Sequence, residues 1–196
     1  MGDIKSAREI AMEKLAQIEE PTEEERLRWK FVPKGEALAN RHLKEDLNLV
    51  VELGKFQENE RRYVIEGAAE ILIRNIDLPR NDHAKRNNRR AMEGLKLLKN
   101  DKASVENVYS RIRNIFKHYA EQGEEQRKKT YEQLKLQFEA RIQQAVQQQL
   151  GPMARARVDV ERQPQFHEEW RKVRAQLDSQ YLQHLDEYKH DLASIT

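Results

Sequence analysis

Apolar residues recur along most of this chain in steps of three and four, the period of helices that bury one side. The first such line runs through Ile4, Ala7, Ala11, Leu15 and Ile18, predicting a helix from about Asp3 to Glu19 that Pro21 ends. Thr22 and Glu25 then stand three residues apart in "TEEE", the spacing of a capping box. The helix that follows carries Leu27, Phe31, Leu38 and Leu43, and Pro33 inside it predicts a kink or break near Phe31 and Val32. A third helix is predicted from about Asp46 to Asn75. Its line is Leu49, Leu53, Phe56, Tyr63, Gly67 and Ile71, with Glu60 filling one step, and Gly67 permits a close helix approach.

After the connector "DLPRND", a fourth helix from about Asn81 to Lys99 buries Ala84, Asn88, Ala91, Leu95 and Leu98. A fifth begins with Ser104 as candidate cap and carries Val105, Val108, Ile112, Ile115 and Tyr119. Glu121 to Lys129 holds no apolar residue, so it reads either as a hinge at Gly123 or as a helical turn exposed all round. The pattern resumes at Tyr131, Leu134, Phe138, Ile142 and Ala145 and stops at Gly151 and Pro152. Ala156, Val158 and Val160 alternate, as one short extended strand would. The last helix starts near Pro164 and keeps an apolar line through Phe166, Trp170, Val173, Leu177, Tyr181, Leu185, Tyr188 and Leu192. Two long helices joined by a short connector pack most simply as an antiparallel hairpin. The predicted fold is therefore all-α. It has an amino-terminal helical bundle over 1–120 and a long carboxy-terminal hairpin over 121–196, with an irregular or extended connector near 151–163.

Composition agrees with long exposed helices: 36% of the 196 residues are charged, and there are only seven glycines and five prolines. With 36 Lys+Arg against 34 Asp+Glu, the net charge of +2 does not indicate a globally basic nucleic-acid binder, so any electrostatic footprint must be local. The absence of cysteine excludes disulfides, thiolate metal sites and cysteine nucleophiles. No signal-peptide apolar region and no apolar run of membrane-spanning length stands out, so a cytoplasmic protein without a membrane partner is expected. Gly2 and Ser6 match the myristoylation pattern, but Asp3 and the apolar line behind it read as an ordinary helix start.

The densest positive charge is "HAKRNNRR", His83 to Arg90. On a helix, Lys85, Arg89, Lys96 and Lys99 share one flank, while Arg86 and Arg90 fall within reach of Asp82 (i,i+4) and Glu93 (i,i+3). The four-cation stripe is the candidate nucleic-acid contact. It lacks interleaved aromatics, and a solvated helix face is the expected reading. Glu187-x-x-His190 is half of a dinuclear carboxylate motif with no second copy, and His167 lacks the partner histidine of a zincin, so no metal is expected. No phosphate loop or nucleophile elbow is present, and neither catalytic residues nor a cofactor are expected. Trp29 and Trp170 read as core or interface anchors.

"DIKSAREIAMEKL" near the start and "ARVDVERQPQFHEEWRKV" near the end resemble an uncharacterised bacterial family of helical proteins. The resemblance implies a cytoplasmic bacterial protein of unassigned function and carries over no site residue. The reading of the residues themselves is a non-enzymatic interaction or scaffold protein. It is expected to form a dimer through its carboxy-terminal helices, with Phe166, Trp170, Leu177, Tyr181 and Tyr188 as anchors. The alternative is a nucleic-acid-associated protein using Lys85, Arg89, Lys96 and Lys99.

Overall fold

The structure, a computed structural model, describes residues 21–45, 47–152 and 159–195. The expected first helix with its Asp3 cap, the Gly2 and Ser6 pattern, Asp46, and the Ala156 and Val158 positions of the expected strand lie outside the described residues. The described elements are helices α1 (Glu23–Lys44), α2 (Leu49–Leu53), α3 (Glu58–Arg74), α4 (Asp82–Leu98), α5 (Lys102–Ala120), α6 (Gln122–Leu150) and α7 (Pro164–Ser194), and no strand occurs among them. Val160 opens a 3-10 turn, Val160–Arg162, instead of ending a strand, and its side chain is buried.

Thr22 caps α1 as its sequence predicts. The Glu25 amide donates to the Thr22 hydroxyl at 3.2 Å, and the Thr22 amide donates to the Glu25 carboxylate at 2.8 Å. Pro33 does not break α1, which is one helix from Glu23 to Lys44. Both Pro33 and Trp29, whose carbonyl the proline leaves without its helical donor, are exposed residues on the side of α1 turned away from the core. The opposite side is clamped on α3. At this crossing a methyl group on Gly35 would collide with the Val64 carbonyl, and one on Gly67 with the Val32 carbonyl. The two backbones touch with no side chain between them. The helices run the same way. Glu24 pairs with Arg62 at 3.3 Å toward their beginnings, and Leu43 and Asn75 line one groove at their ends. Residues 47–57 return the chain between them.

That return divides the helix expected over Asp46 to Asn75. The division follows a capping signal the apolar line conceals: the Gln57 amide donates to the Glu60 carboxylate at 3.2 Å, so Glu60 starts α3 and does not fill a step in a longer stripe. Asn48 caps α2, accepting from the Val50 amide at 3.1 Å. Similarly, Asp101 caps α5 by accepting from the Ser104 amide at 3.0 Å, one turn ahead of the expected cap. Asn88, on the buried face of α4, has a definite task. Its side chain accepts from the Asp77 amide at 2.9 Å and donates to the Asp77 carbonyl at 2.5 Å, stapling the α3–α4 connector to α4.

Only Glu121 separates α5 from α6. The joint is therefore not at Gly123, and the turn after it is not exposed all round. Gly123 is buried beneath Tyr181, and the Arg127 side chain is 11% exposed. Helix α7 runs antiparallel along both helices. Phe166 meets Phe138 at 5.4 Å between ring centroids, and Trp170 meets Tyr131 at 5.1 Å. Asp178 then faces Arg127, Tyr181 pairs with His118 at 2.8 Å, and Asp191 meets Arg111 at 2.8 Å. Leu185 and Leu192 complete the main core, while Leu134, Val160 and Phe166 form a second, smaller one. The amino-terminal helices thus cover the Tyr181 to Leu192 stretch that α6 is too short to reach.

Several helix starts and bridges depend on ionised carboxylates. Backbone hydrogen bonding with Thr22 lowers the pKa of Glu25, the Ser104 hydroxyl lowers that of Asp101, and Lys96 followed by Arg113 lowers that of Glu106. Each pKa is depressed by folding, so the contribution is complete above the unfolded value of about 4 and is lost as pH falls through the folded value. The melting temperature, followed by circular dichroism, should therefore hold steady down to about pH 5 and fall below about pH 4. A melting temperature unchanged down to about pH 2.5 would contradict this.

Candidate functional site

Helix α4 is a wall between two grooves. Its spacing from α5 is loose, and the first groove, of about 610 Å³, opens between the two helices. Met92, Tyr109 and Phe116 contribute its apolar floor, and Lys85, Lys96 and Arg113 stand at its rim. Tyr109 is anchored through its hydroxyl, which donates to the Met92 carbonyl at 2.7 Å; burial pushes that hydroxyl far above its ordinary pKa.

Lys85, Arg89, Lys96 and Lys99 do share a flank, but each is engaged. Lys85 pairs with Asp82 at 3.1 Å, Arg89 with Glu93 at 2.9 Å, and Lys96 with Glu106 at 2.8 Å. Lys99 donates to the Ile195 carbonyl at the end of α7, and burial lowers its pKa. The expected pairs of Arg86 with Asp82 and of Arg90 with Glu93 are replaced by these. Arg90 is half-buried against the last turn of α1 and donates to the Leu43 carbonyl at 2.9 Å, one of the acceptors a helix end leaves open. No ion pair of Arg86 with a described carboxylate is formed.

The second groove, of about 780 Å³, lies on the other side of α4, against the end of α1. Lys44, His83, Arg86 and Arg90 line it together with Asn75 and Asn87. His83, Arg86, Asn87 and Arg90 are spaced three and four apart, a helix face legible in the sequence. Lys44 and Asn75 come from other elements, and no local signal places them there.

The five carboxy-terminal anchors lie inside the chain's own packing to different degrees. Phe166 is fully buried, and Trp170, Leu177, Tyr181 and Tyr188 are half-buried. Trp29 is exposed and contributes nothing to the core. Glu187 faces His184 at 3.4 Å, and no group of three or more metal-ligating side chains is assembled among the described residues. No helix among them is long and apolar enough to cross a membrane.

A charged pair that the sequence does not announce lies where α5, α6 and α7 meet. Asp178 accepts from Arg80 at 3.2 Å through Oδ2; its Oδ1 is 3.8 Å from Arg127 and accepts no hydrogen bond from a described residue. Burial and the nearby Asp178 carboxylate raise the pKa of the Tyr119 hydroxyl. This junction holds helices together and opens onto neither groove.

The helical region from α2 to α7 coincides with a recognised unit: the family model described as a family of unknown function, DUF6657, matches residues 50–194. The chain belongs to the DUF6657 family. That assignment covers the α4–α5 groove and the hairpin; all of α1, which lends Asn40, Leu43 and Lys44 to the second groove, lies before the matched segment. No curated protein and no solved structure matches this DUF6657 chain.

Proposed function

We propose that the protein is a non-enzymatic helical interaction protein that self-associates through its carboxy-terminal hairpin. The observation that carries this reading is the outer edge of α6. Leu136 and Leu150 are 64% and 76% exposed and lie two heptads apart on the projecting helix, with Gln143 at the heptad position between them. Two such edges can close as a symmetric coiled-coil pair. The contact shifts from α7, whose apolar line is largely occupied within the chain, to the face of α6 turned away from it.

Light scattering across a concentration series tests this. The expected result is a dimer that becomes monomeric in Leu136→Glu/Leu150→Glu and persists in Phe116→Glu, on the floor of the α4–α5 groove. A monomer at the highest concentration, or a dimer indifferent to the α6 changes, overturns the reading. Loss of the dimer only in Phe116→Glu would assign the contact to the groove instead.

A further inference from the structure

We infer that the polar groove between the end of α1 and helix α4 is an anion site that takes phosphate groups. This inference is independent of self-association. The cations on the two flanks of α4 are treated oppositely by the fold. On the α5 side, Lys85 and Lys96 each meet a carboxylate within 3.1 Å. On the α1 side, Lys44, Arg86 and Arg90 converge with His83, and none of the three cations pairs with a described carboxylate. The one carboxylate lining the groove, Glu93, is taken by Arg89 at 2.9 Å. Gathering like charges raises the local potential, and a bound anion relieves it.

The groove is also organised. Arg90 is held by its bond to the Leu43 carbonyl, which uses one N–H of its five-donor fork. Arg86 lies one helical turn before it on α4, so two guanidinium groups stand along one wall. The Asn87 side-chain amide nitrogen donates to the backbone carbonyl and to the side-chain oxygen of Asn75, at 3.2 Å each, fixing the amide at the groove floor. Planar guanidinium forks match phosphate oxygens in pairs, and Lys44 adds a point charge from the opposite wall. Phosphate is thus the chemistry recognised. Its source is either a small molecule such as pyrophosphate or the backbone of a nucleic acid.

The test uses the full chain. Titration calorimetry with sodium pyrophosphate and anisotropy with a labelled single-stranded oligonucleotide are run at low and moderate salt. The expected result is binding of at least one probe, with affinity falling as salt rises. Lys44→Glu/Arg86→Glu should weaken it about tenfold or more, while Lys96→Glu, on the other flank of α4, changes it by less than about twofold. All three substituted positions are solvent-exposed, and circular dichroism verifies that the variants fold. Tight pyrophosphate binding identifies a small-molecule site; oligonucleotide binding that pyrophosphate displaces only at high concentration identifies a backbone site. Absence of binding by both probes at low salt overturns the inference. So does binding unchanged in the double variant, or binding lost equally in Lys96→Glu.

Discussion

Replacing Gly67 with alanine should destabilise the protein by about 3 kcal/mol, although the same change inside an ordinary helix gains about 1 kcal/mol. The reversal comes from what the new methyl group would meet. At Gly67 it collides with the Val32 carbonyl oxygen and lies 2.9 Å from its carbon; at Gly35 it collides with the Val64 carbonyl oxygen and lies 2.9 Å from the Ala68 nitrogen. These are backbone atoms of a packed helix, so no side chain can rotate away and the helices must separate. Separation loosens the main core along Phe31, Val64 and Ala68. Gly54→Ala is the control, because there the nearest atom is the Val51 carbonyl oxygen at 3.3 Å and the position is exposed. Urea unfolding should give a much lower midpoint for Gly67→Ala and one within about 0.5 kcal/mol of the parent for Gly54→Ala. A Gly67→Ala protein as stable as the parent would refute a backbone-to-backbone crossing.

Asp178→Ala is the second large effect expected, also about 3 kcal/mol. The Asp178 side chain is 6% exposed and sits between Arg80 and Arg127. Removing it leaves Arg127, at the meeting of three helices, with Glu124 at 3.0 Å as its one acidic partner among the described residues. The cost comes from removing the one buried carboxylate that both guanidinium groups face, so Asp178→Asn, which keeps the shape and removes the charge, should lose nearly as much. Arg80→Ala should lose less, because Arg80 is a third exposed. Thermal unfolding of the three variants orders them, and an Asp178→Ala protein within about 0.5 kcal/mol of the parent would contradict this account.

Local chemistry was readable where one helix carries its own signal. The Thr22 and Glu25 capping box, the buried line of α4 and the stop at Gly151 are statements about neighbours along the chain, and they appear where the sequence places them. The third helix failed because Glu60 answers two patterns at once, a step in an apolar stripe and the third residue of a capping box, and only the second is compatible with the turn at Gly54. Charge was harder still. Asp82 and Glu93 each had two cations within reach on their own helix, and at Glu93 the open carbonyl at Leu43 of α1 holds Arg90, leaving Arg89 to make the pair. Asp178 gave no sign at all, since a single acid beside Leu177 looks like any polar flank until Arg80, 98 residues away, closes on it.

The one-residue joint at Glu121 has a mechanical meaning. Helix α6 extends about 43 Å beyond it, so a tilt of about 10° there sweeps the tip through about 7 Å. Helix α7 bridges the joint as a splint lies across a fracture, seated on α5 at one end and on α6 at the other. Whatever loosens its grip at Asp178 or Tyr181 turns a stiff rod into a swinging arm, and the leucines on α6 move with it.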